Sequence, residues 1–138
     1  MKNAPERQLY RILDANFNRA KEGLRVCEDI CRYIWDDKVS TRGFKNLRHA
    51  LTEAVVPIGV LKIVASRDTG GDVGRPTSKS EARRRDLDAV FLANSQRVKE
   101  SLRVLEEITK LLNISCAEQL KNLRYRMYDL EQKILKKR

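Results

Sequence analysis

Histidine is nearly absent from this chain of 138 residues: His49 stands alone. One imidazole argues against a histidine-built metal site and against a Ser-His-Asp triad, and no zinc-ligand spacing takes their place. Cysteine is scarce and odd in number, at Cys27, Cys31 and Cys116. That argues against a disulfide framework and points to a reducing, cytoplasmic setting. Proline occurs only at Pro5, Pro57 and Pro76, and between Thr77 and Arg138 there is neither proline nor glycine. The longest apolar run, Ala54 to Leu61, is broken by Pro57 and is too short to span a bilayer. Met1 to Tyr10 carries charge and no apolar segment, so no secretory signal is expected. Aromatic residues make up 6% of the chain, which leaves few platforms on which bases could stack.

Positive charge is what the chain has in excess. Lys and Arg number 29 against 19 Asp and Glu, a net charge of +10, and the pI is about 9.8. Such a balance favours anionic partners: phosphorylated metabolites, nucleotides, nucleic acid or a membrane surface. The 41% apolar content suits one globular domain of ordinary size.

The apolar spacing is helical. Leu13, Phe17, Ala20, Leu24, Cys27, Cys31 and Ile34 step by three and four residues, which is one stripe on a long helix. Phe91, Val98, Leu102, Leu105 and Leu112 follow the same rhythm, with Ser95 and Thr109 in the gaps. Ser40 is expected to cap a second helix running to about Val56, and Ile58 to Ser66 to form a short one. Ser78 with Glu81 reads as a capping box opening a third long helix, and Ser115 with Glu118 as the start of a fourth. Two helices of about 30 residues would each reach about 45 Å, which favours a homodimer.

An internal repeat organises these elements. Residues 15–30 read ANFNRAKEGLRVCEDI and residues 93–108 read ANSQRVKESLRVLEEI, identical at ten of the sixteen positions. FKNLRHAL at 44–51 pairs with LKNLRYRM at 120–127. The expected fold is therefore all-α: an antiparallel bundle of two duplicated helical hairpins with pseudo-twofold symmetry. One domain spans 1–138, with repeat one at about 9–56, a connector at 57–86 and repeat two at about 87–136.

The repeated polar residues are Asn16/Asn94, Arg19/Arg97, Lys21/Lys99, Glu22/Glu100, Arg25/Arg103 and Glu28/Glu106. At 100° per residue Asn16, Lys21 and Glu28 flank the apolar stripe, while Glu22 and Arg25 point away. One explanation is a well-retained duplication with ion pairs such as Lys21–Arg25–Glu28 on an exposed face. The other is contact with a ligand or a second subunit. The unrepeated connector reads SRDTGGDVGRPT from Ser66 to Thr77. Its glycines, with Arg67 and Arg75 outside and Asp68 and Asp72 between them, have the composition of a phosphate and Mg²⁺ loop. A plain connector has the same composition, and no Walker A pattern is present. Cys27 and Cys31 fit the core, and His49 fits a surface or an interface. Tyr125 and Tyr128 could stack on a ring or pack between helices. Arg83, Arg84 and Arg85 at a helix start would oppose its dipole.

These motifs carry a resemblance: DANFNRAKEGLRV at 14–26, RDTGGDVG at 67–74, ANSQRVKESLRVLEE at 93–107 and LRYRMYDLE at 123–131. From about Tyr10 to Lys133 the chain resembles the helical domain found fused N-terminal to thiamine phosphate synthase in cyanobacteria and other bacteria, described as a non-standard hydroxymethylpyrimidine phosphate kinase. The resemblance implies that ATP phosphorylates 4-amino-5-hydroxymethyl-2-methylpyrimidine phosphate to the pyrophosphate. It implies ATP and Mg²⁺ as cofactors and thiamine phosphate synthase as a possible partner, while synthase activity is not expected from these residues. Under it, Arg67, Asp68 and Asp72 are the catalytic candidates, with Asp68 and Asp72 also the Mg²⁺ candidates. Arg19, Arg25, Arg97, Arg103 and Arg124 would clamp phosphate, with Gly70 and Gly71 close by. Glu22, Glu28, Glu100 and Glu106 would position Mg²⁺ or the pyrimidine amine, and Asn16 and Asn94 would read the pyrimidine edge. Two alternatives stand beside this: a non-catalytic pyrimidine-phosphate-binding or dimerisation module, and a nucleic-acid-binding helical protein.

Overall fold

The computed structural model describes residues 5–79 and 81–138, and those residues form five α-helices and no strand. Helix α1 spans Glu6–Tyr33, α2 Lys38–Val55, α3 Val60–Ala65, α4 Leu87–Thr109 and α5 Ile114–Lys136. Helix α1 opens directly behind Pro5 and places Glu6 in its first turn, where a carboxylate suits the dipole. Its stripe buries Leu13, Ala20, Leu24, Cys27 and Cys31. Ile34 leaves the stripe, exposed, because the helix ends at Tyr33 and the chain turns through Asp36 at φ 49°.

Three expected helix starts are corrected. Asp37, not Ser40, caps α2: its carboxylate accepts the Ser40 N–H at 3.0 Å and the Ser40 hydroxyl at 2.6 Å. Asn113, not Ser115, caps α5 by accepting the Cys116 N–H at 3.1 Å. At the expected capping box, Ser78 Oγ does accept the Glu81 N–H, at 3.3 Å, but no helix follows. Helix α4 starts at Leu87, behind Asp86, whose carboxylate takes the Ala89 N–H at 2.8 Å. The physical reason is burial. Arg83, Arg84 and Arg85 are all exposed, and a short helix without a face to bury is marginal in water. Leu87 is the first residue there that packs on the core. Helix α4 is consequently 23 residues long rather than about 30, and the three arginines lie outside its first turn.

Helix α1 packs against α2, α3 and α4, α4 packs against α5, and α2 packs against α5. The four long helices thus enclose one core, where Phe44, Phe91, Leu51, Leu102, Leu105, Leu120 and Met127 are buried. Phe91 sits between Trp35 and Phe44, with ring centroids 5.2 and 6.1 Å away. Cys27 Sγ lies 3.8 Å from the Phe91 carbonyl, and Gly23 meets Asn94 and Val98, so α1 and α4 run antiparallel. A Cβ on Gly23 would stand 2.8 Å from Val98 Cγ2 and 3.0 Å from the Asn94 carbonyl, so glycine is what lets the two backbones approach. Gly59 is required for another reason: it takes φ 103° where the chain turns from α2 into α3.

Candidate functional site

Within the α1–α2 hairpin the polar residues converge on Glu28, whose relative exposure is 2%. Arg48 reaches it from α2 with Nε 2.7 Å from Oε1 and Nη2 3.3 Å from Oε2. Arg25 adds Nη1 at 3.2 Å to Oε2. Of the Lys21–Arg25–Glu28 ion pairs that one of the two readings set on an exposed face, Arg25–Glu28 forms and Arg25 is exposed, but Glu28 itself is buried beneath two guanidinium groups. Lys21 does not pair with it. Its ammonium donates to Thr52 Oγ1 at 2.5 Å and to the Arg48 carbonyl at 3.5 Å. Partial burial, with Arg48 and Arg25 nearby, holds the Lys21 ammonium below the usual lysine range.

The α4–α5 hairpin repeats the central pair. Glu106, also buried, accepts Arg124 Nε at 3.0 Å and Arg103 Nη1 at 3.3 Å. Arg103 Nε reaches Glu107 at 3.5 Å, and Arg124 Nη1 donates to the Tyr128 hydroxyl at 3.2 Å. Lys99 differs from its counterpart Lys21 in having a carboxylate partner, Glu131 Oε1 at 3.0 Å, and Ser95 also donates to Glu131.

The two Glu–Arg pairs do not share one site. Cys27 lies level with Phe91, and Glu106 is fifteen residues further along α4, about 22 Å at 1.5 Å per residue. Arg19, Glu22, Arg97 and Glu100 lie exposed on the other flank of α1 and α4. Asn16 and Asn94 use their amide groups on the helix itself, donating to the Ile12 and Val90 carbonyls, each at 2.9 Å. Asn16 Oδ1 also accepts Arg19 Nη1 at 3.4 Å.

The connector is tied down at its start. Arg67 grips Asp14 of α1 through Nε at 2.8 Å and Nη2 at 2.7 Å. Beyond it the loop is exposed, and its acids fold onto its own backbone. Asp68 Oδ1 accepts the Gly71 N–H and Asp72 Oδ1 accepts the Gly74 N–H, both at 2.9 Å. Gly70 has open space where a Cβ would stand, with Asp68 Oδ1 3.9 Å away, whereas Gly71 lies against the Asp68 carboxylate. Among the described residues no group of three or more His, Cys, Asp or Glu is arranged to hold a metal. Two carboxylates with free oxygens, as in this loop, suit Mg²⁺ that arrives already bound to nucleotide phosphates. Two surface depressions, of about 230 and 210 Å³, lie elsewhere: one between α2 and α5 beside Gly43 and Leu130, the other beside Tyr10, Lys62 and Asn113. Cys27, Cys31 and Cys116 are buried free thiols, and burial pushes Cys31 up to about 11, which keeps it unreactive.

Some of these partners are absent from the set of sequence candidates. Arg48 is legible in retrospect, because the KNLR at 45–48 is repeated at 121–124, where Arg124 was singled out. Asp14 begins the DANFNRA motif but has Leu92 as its counterpart, so the repeat does not mark it. Glu131 closes the LRYRMYDLE motif at 123–131 without a role being read from it, and nothing in the local sequence marks Thr52.

The architecture defines a small, basic all-α module that carries buried carboxylate–guanidinium pairs on both hairpins. The chain belongs to the ThiD2 family, which it matches over residues 11–133. It is 43% identical over 136 residues to a thiamine-phosphate synthase of Synechocystis, covering 98% of this chain and 38% of that protein. Against the thiamine-phosphate synthase of Rhodopirellula baltica the identity is 41% over 129 residues, 93% of this chain and 34% of the relative. Against that of Thermosynechococcus vestitus it is 44% over 126 residues, 91% and 35%. The chain therefore spans little more than a third of the length of these relatives. No solved structure matches it. Among the described residues no helix is long and apolar enough to cross a membrane.

Proposed function

We propose that the chain is a hydroxymethylpyrimidine phosphate kinase: it transfers the γ-phosphoryl group of ATP to the phosphate of 4-amino-5-hydroxymethyl-2-methylpyrimidine phosphate. The observation that carries this reading is membership of the ThiD2 family along almost the whole chain, with relatives named for thiamine biosynthesis. In the reaction an oxygen of the substrate phosphate forms a bond to the γ-phosphorus, the bond from that phosphorus to the β–γ bridging oxygen breaks, and ADP leaves. A phosphate monoester loses its second proton near pH 6, so at neutral pH the attacking oxygen is already anionic. No general base is needed. The obstacle is repulsion between two polyanions, and fixed cations remove it. The +10 charge and the guanidinium groups along both hairpins suit that task, as does Arg67 beside the glycine-rich loop. Mg²⁺ would arrive with ATP, and Asp68 and Asp72 are the loop carboxylates available to it.

Three finer points belong to the same proposal. The two hairpins are copies related by a pseudo-twofold axis, which the recurrence of Glu28–Arg48 as Glu106–Arg124 supports. Two chains form a homodimer. Thiamine phosphate synthase receives the product. The decisive measurement is ADP release by the pure 138-residue chain with ATP, Mg²⁺ and the pyrimidine monophosphate. Turnover that needs the pyrimidine substrate supports the kinase. Tight pyrimidine phosphate binding without ADP release would leave a delivery module instead. Steeply salt-dependent binding to random duplex, again without ADP, would favour nucleic acid.

A further inference from the structure

We propose that phosphate binds to the first hairpin alone, at Lys21, Arg25 and Arg48, and that the second hairpin holds a neutralised copy of this site. The internal repeat supplies the comparison. Lys21, Arg25, Glu28 and Arg48 correspond to Lys99, Arg103, Glu106 and Arg124. In the second hairpin every one of the three cations has a carboxylate: Lys99 has Glu131, Arg103 has Glu106 and Glu107, and Arg124 has Glu106. Three cations there meet three carboxylates. In the first hairpin the only carboxylate within ion-pair distance of the set, among the described residues, is Glu28, shared between Arg25 and Arg48. The position of Glu131 is taken by Val55, a core residue, and that of Glu107 by Asp29, which makes no ion pair within 4 Å among the described residues.

Lys21 is consequently a half-buried ammonium whose hydrogen bonds go to neutral oxygens, Thr52 Oγ1 and the Arg48 carbonyl, with two guanidinium groups nearby. Gathering three like charges costs free energy, and burial lowers the Lys21 proton affinity further. An incoming phosphoryl dianion removes both penalties. It supplies the missing negative charge and several acceptor oxygens for charge-assisted hydrogen bonds. Both ammonium groups have a ring 5.7 Å away, Phe17 beside Lys21 and Tyr128 beside Lys99, so the ring does not separate the hairpins; at Lys21 it offers a flat apolar neighbour for a ring-bearing phosphate ester. The ligand class is thus a phosphate group, free or esterified to a small planar ring.

This inference takes its ligand class from the kinase reading, but its test needs no turnover. Pyrophosphate is titrated into the 138-residue chain by calorimetry at low ionic strength. Lys21→Gln and Thr52→Glu, which respectively remove the ammonium and place a carboxylate beside it, should each weaken binding about tenfold or more, the scale of one charge-assisted contact. Lys99→Gln, the matched change in the second hairpin, should leave affinity within about twofold. Circular dichroism reports whether each variant folds; Thr52 is part-exposed, so Thr52→Glu carries the test if Lys21→Gln does not fold. Equal affinity for Lys21→Gln or Thr52→Glu and the parent chain, an equal loss for Lys99→Gln, or no binding by the parent chain would each overturn the assignment. Binding that obeys this pattern without ADP release sustains the site and sinks the kinase; ADP release that is indifferent to Lys21 does the reverse.

Discussion

Arg67 closes on Asp14 across 53 residues of chain through two hydrogen bonds, 2.8 and 2.7 Å long, and so anchors the entrance of the glycine-rich loop to the flank of α1. Asp14 is buried and the guanidinium covers it. Arg67→Ala should therefore free the segment from Ser66 to Arg75, seen as faster amide exchange there than in the parent chain. If the loop serves phosphoryl transfer, turnover should fall by about tenfold, the value of one transition-state contact. Arg67→Lys cannot restore the paired geometry, because an ammonium is a single point of charge. Unchanged kinetics in a folded Arg67→Ala protein would remove the loop from the mechanism.

The Glu106–Arg124 pair should behave as a buried ion pair does. Removing Arg124 leaves the buried Glu106 with the exposed Arg103 as its remaining partner, and Arg124→Met is expected to cost about 3 kcal/mol in urea unfolding, the low end for a broken buried pair. Replacing both groups, with Glu106→Leu added, should recover most of that loss, because the pair repays little beyond its own desolvation. A double variant as unstable as the single one would show that Arg124 supports the fold by other contacts, such as its bond to Tyr128.

Gly23→Ala tests the close approach of α1 and α4. In an open helix the change would stabilise by about 1 kcal/mol. Here the new methyl group would press on Val98 and on the Asn94 carbonyl, and overpacking of a core contact costs about 1–3 kcal/mol. A net loss of stability is expected. Gly70→Ala, where the space is open, should stay within about 0.5 kcal/mol of the parent chain.

Asp37 should set part of the acid sensitivity. Partial burial pushes its carboxyl up, but the Ser40 hydroxyl and N–H, with the Lys137 ammonium at 3.1 Å, outweigh that and hold it at about 2 instead of 3.8. A lowered carboxyl stabilises the folded state above its unfolded value, and that contribution is lost as pH falls from 3.8 through about 2. Asp37→Asn keeps a competent cap and removes the titration. Its stability at neutral pH should fall by about 2 kcal/mol, the worth of a carboxyl held at about 2 instead of 3.8, while the decline between pH 4 and 2 becomes shallower in thermal melts.

The all-α class and the repeat were legible because each follows from spacing along one segment. Leu13, Ala20, Leu24, Cys27 and Cys31 form the predicted stripe and are buried together. Helix starts were less legible. Ser40 and Ser78 have the chemistry of caps, yet Asp37 and Asp86 hold the positions, because a helix begins where a packed face begins and not at every good capping residue. The repeat singled out Glu28 and Glu106, but helical angles alone set Glu28 on a flank and suggested an exposed face. Burial came from Arg48, on a helix that the angles of α1 do not describe.

The order of residues was sufficient for the amphipathic helices, the excess of positive charge and the repeated sequence segments, since these depend on neighbours three and four positions apart and on simple counting. Which cations are neutralised was decided only when the helices packed. Lys21 and Lys99 sit in nearly the same local sequence, and what separates them is Thr52 across from one and Glu131 across from the other. An ammonium senses charge through space over a few ångströms, so its state depends on the residue that folding brings opposite, however distant that residue is along the chain.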